Sequence, residues 1–205
     1  MLRIQGNFLI ALVLSTAIFS TQVKAESGSS GARDFIVGVY AEIMTLVATE
    51  EPLPTRVSKL EGLFHRALDL RTMSRLAAGK YWQRFEPGQL QAYKDVYAEY
   101  VVQIYVSRLV KETIESIDIV SSQEIASDEF IVTGVIARTG HPLLTLGFRV
   151  RRSEGIFKII DATTDGVSLV MAQRNDFGEL LARDGLDNLI KALRKKLSIN
   201  KNKAT

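Results

Sequence analysis

The chain of 205 residues contains no cysteine. That excludes disulfides, thiol nucleophiles, cysteine-ligated metals and haem attachment through CxxCH. Histidine is scarce as well, with His65 beside Phe64 on an apolar helical stretch and His141 in a TGHP turn. Neither belongs to an HExxH motif, and a metal site needs ligands that converge. GxSxG, GxGxxG and GxxxxGK[ST] are missing, so there is no nucleophile elbow and no usual nucleotide cradle. An excess of one charge is also lacking. Residues 1–25 carry Arg3 and Lys24 and no acid, so without them the 26 basic groups fall to 24 against 23 acidic ones. A net charge of about +1 is not the basic footprint of a nucleic-acid binder. The longest apolar stretch, Phe8 to Phe19, has twelve residues, short of the roughly 20 that cross a bilayer core.

That stretch follows Arg3 and precedes Val23 and Ala25, small residues spaced as in a cleavage site. Residues 1–25 therefore read as a secretory signal peptide, and the remaining chain as an exported domain. ESGSSGAR, residues 26–33, reads as a flexible Gly/Ser leader, and the folded domain is expected over 34–205.

From Asp34 the pattern is helical. Phe35, Ile36, Val39, Ile43, Leu46 and Val47 recur at helical spacing until EEPLP ends the run, and Val57, Leu60, Leu63, Phe64, Ala67 and Leu68 form a second stripe. A third helix carries Leu70, Met73, Leu76 and Ala77, with Gly79 suited to its C-terminal cap. The longest starts after Pro87 and carries Tyr93, Tyr97, Tyr100, Val101, Ile104 and Tyr105. After Lys111 the period becomes two: IESIDIVSS, DEFIVTGVIART, HPLLTLGFRVRR and GIFKIIDAT predict four strands whose short links imply an antiparallel meander. Helical spacing returns through DFGELLARDG and GLDNLIKALRKKL. The expected fold is α+β: N-terminal helices, a four-stranded antiparallel curved sheet and C-terminal helices.

Two carboxylates in DATTDGVSLV, Asp161 and Asp165, are the remaining candidates for acid–base chemistry. Four positions apart on a strand they would stand roughly 13 Å from each other, too far to share a proton. The oxygen spacing of a calcium loop is missing. The segment reads better as a junction, with Asp165 and Gly166 turning the chain and Ser168 capping a helix from Leu169.

Two blocks, AAGKYWQRFEPGQLQAYKDVYAEYVVQIYVSRL and DATTDGVSLVMAQRNDFGELLARDGLDNLIKAL, resemble the MlaC-like periplasmic phospholipid-carrier family of the Mla pathway, also called the toluene-tolerance family. The likeness runs from about Leu53 to Leu197, with the four-strand segment between the blocks. Asp165 stands where the family usually has Glu, and Glu86 where it usually has Thr or Ser. The resemblance implies a periplasmic, non-enzymatic carrier, NTF2-like in outline. Such a protein takes no cofactor and holds phospholipid tails between a curved sheet and helices. It passes its cargo between an outer-membrane lipoprotein complex and an inner-membrane MCE-type ABC transporter complex, which maintains outer-membrane lipid asymmetry. At about 0.8 kcal/mol per methylene, exposing roughly 30 tail methylenes to water would cost on the order of 24 kcal/mol, so transit needs a dry slot.

On this reading the tails contact Val132, Ile136, Leu144, Leu146, Phe148, Val150, Phe157 and Ile159 from the sheet, with Tyr81, Trp82, Val101 and Tyr105 opposite. The same residues could fill a solid core, and they do not separate a phospholipid from another apolar guest such as a hopanoid. An NTF2-like enzyme using Asp161, Asp165 or His141 is a further reading. So is a ligand-free adaptor docking through the basic tail KALRKKLSINKNKAT.

Overall fold

The computed structural model describes residues 20–110 and 114–204, with side-chain surroundings for 28–110 and 114–199. The expected signal peptide therefore lies, as far as residue 19, outside the described residues. Among those residues no helix is long and apolar enough to cross a membrane.

Helices come first. α1 (Ser20–Ala48), α2 (Leu53–Ala67) and α3 (Leu70–Ala78) lead through a short 3₁₀ helix (Gly79–Arg84) into α4 (Pro87–Leu109). Pro52 and Glu86 stand at the N-caps of α2 and α4, with proline in each first turn, where its missing N–H costs nothing. Asp69 caps α3 by accepting from Thr72 N–H at 2.9 Å, and Gly79 closes that helix at φ 56. The long final helix α5 (Leu169–Ala204) is broken at Gly185, whose φ of 75 is outside helical space.

The flexible leader expected over 26–33 is not what the structure contains, because α1 runs through these residues and buries Ala32. The glycines explain why. A Cβ on Gly28 would come within 2.8 Å of the Phe130 ring, and one on Gly31 within 3.0 Å of Phe157. Weak helix formers in isolation, they let the helix lie directly on two aromatic rings, and that packing outweighs propensity.

Five strands follow, one more than expected: β1 (Ile114–Ala126), β2 (Glu129–Arg138), β3 (His141–Ser153), β4 (Ile156–Thr164) and β5 (Val167–Ser168). They form one open antiparallel sheet in sequence order. The two-residue β5 escapes a period-based reading because it is too short to show a period. Asp165 and Gly166 have φ 47 and 83, the paired positive values of a two-residue type I′ hairpin, and Glu154 and Gly155 turn β3 into β4 in the same way. Bulges at Ile119/Ser121 and Arg149/Val150 break the register and bend the sheet.

Alternation places Phe130, Val132 and Ile136 of β2 and Val150 of β3 among the buried residues, on the face covered by helices. The longest aromatic series lies on the other side of the core. Phe85, Tyr93, Tyr97 and Phe177 follow one another at centroid distances of 5.6, 5.8 and 6.3 Å. The Tyr93 hydroxyl donates to Ser74 O at 3.1 Å and the Tyr97 hydroxyl to Gln173 Oε1 at 2.8 Å. Burial raises the pKa of both phenols, so each stays a neutral donor inside the core.

Candidate functional site

Along α1, Ile36, Val39, Tyr40 and Ile43 recur one and two turns apart and face the sheet, and all four line a cavity of ≈ 290 Å³. That is the lower edge of the roughly 300–1,000 Å³ of ligand pockets. Phe64 and Leu68 join from α2 and its C-terminal residue; Tyr105, Arg108 and Leu109 come from the last turns of α4; Leu169 comes from the start of α5. The sheet contributes Ile114 and Ile117 of β1, Ile136 and Arg138 of β2, Leu144, Leu146 and Phe148 of β3, and Ile159, Ala162 and Thr164 of β4. Most of this wall is aliphatic or aromatic carbon. Gly134 lets β1 fold close over the sheet, since a Cβ there would meet Ile117 and Ile119 at 3.1 Å.

The cavity has depth. Ile36, Phe64, Leu68, Ile136, Ile159 and Ala162 are buried, whereas Leu144, Thr164, Leu109 and Ile114 are partly exposed and Arg108 is exposed. Its open end thus lies where α4 ends and where the β2–β3 and β4–β5 turns project. Tyr105 stands just inside this opening. Its hydroxyl makes no hydrogen bond among the described residues, while its ring stacks on Phe64 at 5.5 Å. Burial raises the Tyr105 pKa first, the charge of Asp161 adds to that, and Arg108 opposes it. The Tyr40 pKa is also raised, chiefly by burial.

Of the twelve residues that the sequence assigns to the tail site, the structure brings six to this cavity: Tyr105, Ile136, Leu144, Leu146, Phe148 and Ile159. The other six lie elsewhere. Tyr81 and Trp82 sit on the 3₁₀ helix, with Trp82 edge-on to Tyr93 at 6.4 Å, and Val101 is buried within the helical core. Val132 and Val150 are fully buried on the same sheet face, and Phe157 packs between Phe35 and Phe130 at 6.2 and 5.9 Å. The inner face is therefore divided. Where α1 presents glycines it drops onto Phe130 and Phe157 and closes a solid core. Further along, Ile36, Val39, Tyr40 and Ile43 hold its backbone off the sheet, and a void remains. The α1 stripe was visible as helical spacing; that it faces a void was not.

The acid–base candidates are occupied structurally. Asp161, 8% exposed, accepts from the Ser168 hydroxyl at 2.5 Å and from Val170 N–H at 3.1 Å. Ser168 in turn accepts from Met171 N–H at 3.0 Å, so the two side chains cap α5 together. Asp165 is exposed in its turn and accepts from Thr145 N–H at 3.2 Å. His141 is exposed at the start of β3. No group of metal-ligating side chains occurs among the described residues.

The family model described as MlaC protein matches residues 39–195. This chain belongs to the MlaC family. The matched span takes in the cavity from Val39 to Leu169. A similar solved structure is the phospholipid-binding protein from Ralstonia solanacearum in complex with a phospholipid, at TM-score 0.67 and 19% identity. The match covers 83% of this chain and 98% of that one, and the two share a fold.

Proposed function

We propose that this MlaC-family chain is an exported periplasmic carrier that receives the acyl tails of a phospholipid in the cavity between α1, α4 and the sheet. The cavity itself carries the reading: a void walled by carbon, open at one end, at the centre of the family-matched span. The Ralstonia neighbour, of the same fold, is a phospholipid-binding protein. The signal-peptide pattern of residues 1–25 supports export, and cleavage after Ala25 would leave Glu26 as the first residue. The cargo then moves between an outer-membrane lipoprotein complex and an inner-membrane MCE-type ABC transporter complex, as the family resemblance implies. Binding and release, without chemistry, suit a site beside which the buried carboxylate of Asp161 is engaged in capping a helix.

Native mass spectrometry of the purified protein, followed by extraction and identification of bound lipid, tests this reading. About one lipid per chain, phospholipid by fragmentation, is the expected result. A protein that stays empty after incubation with phospholipid vesicles would remove the carrier reading. A polycyclic lipid in place of phospholipid would keep the carrier and change its cargo.

A further inference from the structure

Charge is unevenly placed along the chain. All 23 acidic residues lie at or before Asp187, and the 18 residues from Asn188 to Thr205 hold six basic ones and no acid. Of the 24 basic groups beyond residue 25, 18 therefore face 23 acids over residues 26–187, a net −5, while the end of the chain carries +6. That end is the second half of α5. Beyond the break at Gly185, Leu189, Leu193 and Leu197 are buried, whereas Lys191, Arg194, Lys195 and Lys196 are exposed. Spaced three and four apart, Lys191, Arg194 and Lys195 share the helix face opposite the buried leucines. Lys196 lies at the flank, its ammonium 5.7 Å from the centre of the Tyr100 ring.

This half-helix runs beside α4 in the same direction. Gln89 Nε2 donates to Asp187 Oδ1 at 3.2 Å, and Gln103 Nε2 to Leu197 O at 3.4 Å. At about 1.5 Å per residue, roughly 10 Å of helix follow Leu197 and roughly 9 Å of α4 follow Gln103. The two helices thus end level with each other, at the end of the molecule where the cavity opens. The helix dipole does not explain the basic face, because its field fades within the last turn and Lys195 stands nine residues before Ala204. Ion pairing does not explain it either: among the described residues none of the four cations is in an ion pair. Asp187 accepts from Gln89, and of the exposed acids on the neighbouring α4, Asp95 accepts from Gln91 at 2.7 Å and Glu99 forms no ion pair. Five of the six basic residues are lysines. Protein interfaces favour arginine, whose planar fork fits a fixed carboxylate, and are depleted in lysine. A compact ammonium on a flexible stem suits a surface of dense, mobile anions, such as the headgroups of a charged bilayer. The apolar side of the helix is already buried in the core, so such contact is made by charge and not by insertion.

We propose that the half-helix from Leu186 to Ala204 is an electrostatic docking surface for an anionic lipid bilayer, and that it seats the protein with its cavity mouth toward the membrane. The same surface that attracts the end of the chain repels the net negative body, which orients the approach. This goes beyond the carrier reading and holds whatever guest the cavity takes.

Flotation with vesicles tests the docking, using phosphatidylcholine alone and phosphatidylcholine mixed with phosphatidylglycerol. The parent is expected to float with the mixed vesicles and not with the neutral ones. A basic residue near an anionic surface strengthens binding roughly fivefold, so the triple variant Lys191→Gln, Arg194→Gln, Lys195→Gln should bind the mixed vesicles on the order of a hundredfold more weakly. Equal binding by parent and variant, or equal binding of the parent to both vesicles, overturns the proposal. Should the variant misfold, the parent decides alone: raising salt should release it from the mixed vesicles, and binding that ignores salt refutes the docking. A parent that passes over the mixed vesicles but is retained by polyglutamate overturns the bilayer and assigns the helix to an acidic protein. Because the chain has no cysteine, a fluorophore on Thr139→Cys, in the β2–β3 turn at the mouth, or on Gly88→Cys, at the far end of α4, reads the seating. A quencher carried on lipid headgroups should quench the first several-fold more than the second, and equal quenching overturns the orientation. Native mass spectrometry of the same protein keeps the two readings apart, since a chain that floats with mixed vesicles but never carries lipid removes the carrier and keeps the docking helix.

Discussion

At the scale of single residues, Asp161 shows how a carboxylate in a suggestive place can be spent on architecture. Asp161→Ala would strand the Val170 N–H and the Ser168 hydroxyl at the buried start of α5, a loss of about 1–3 kcal/mol. Asp165→Asn should cost much less, because asparagine tolerates positive φ. Gly166→Val at φ 83 should fall between them or beyond. Thermal melts of the three rank them. Glu129 gives a pH signature. Burial alone would raise its pKa, but hydrogen bonds from Arg151 and Arg149 at 2.6 and 2.5 Å outweigh that and hold it below the usual carboxylate value. As pH falls the unfolded chain takes up this proton first, so the stabilisation is complete above the ordinary carboxylate range and is lost as pH falls through it. Glu129→Gln should therefore melt below the parent at neutral pH, and the gap should narrow steadily in acid. A gap that stays constant with pH would assign the loss to packing.

At the scale of elements, α1 makes two kinds of contact, and the difference is testable within one helix. Gly31→Val pushes methyl groups into the Phe157 ring and should cost about 1–3 kcal/mol. Gly38 has nothing within 4 Å of an added Cβ, so Gly38→Ala should gain roughly 0.5–1 kcal/mol from helix propensity. Strand β3 offers the parallel contrast. Leu146→Trp, bordering the void, should keep the fold and reduce lipid co-purification, whereas Val150→Phe, two register pairs nearer the solid core, should lower the melting temperature and leave lipid content alone. Equal destabilisation by both would mean that the void is not used. Helices, strands and their order were legible because each carries a long period, and Ser168 was legible as a cap from its place before an apolar run. Alternation correctly placed Leu144, Leu146, Phe148, Val150, Val132 and Ile136 on one face. It could not say which of them meet a neighbour and which meet a gap, since that depends on how far a helix about 100 residues earlier stands off the sheet. The glycines of 26–33 misled for a related reason: propensity is local, and the rings that order them are distant.

For the whole molecule, stability and cargo are linked. With no cysteine to tie it, the domain depends on its core alone, and an empty apolar void withholds part of that core. A guest that binds only the folded state adds about 2.7 kcal/mol at one hundred times its dissociation constant. Delipidated protein should accordingly melt lower than protein as purified, and phospholipid should restore the difference. Melting temperatures that coincide would show that the purified protein carries nothing.

The hydrogen bond from Ser122 to the Ser29 carbonyl joins residues 93 positions apart, and the stacking of Phe35 on Phe157 reaches further still, so α1 waits for its partners in a chain that emerges N-terminus first. The meander pairs neighbour with neighbour and can assemble as it appears, whereas α1, though it can meet α2 early through Arg66 and Glu42, gains its sheet-side partners only when Phe130 and Phe157 are in place. Closure entropy grows only slowly with such distances, so the separation costs little in stability. A trough whose wall comes from the far end of the chain can close only after its floor exists, so during assembly the apolar face meets its surroundings before it is a cavity.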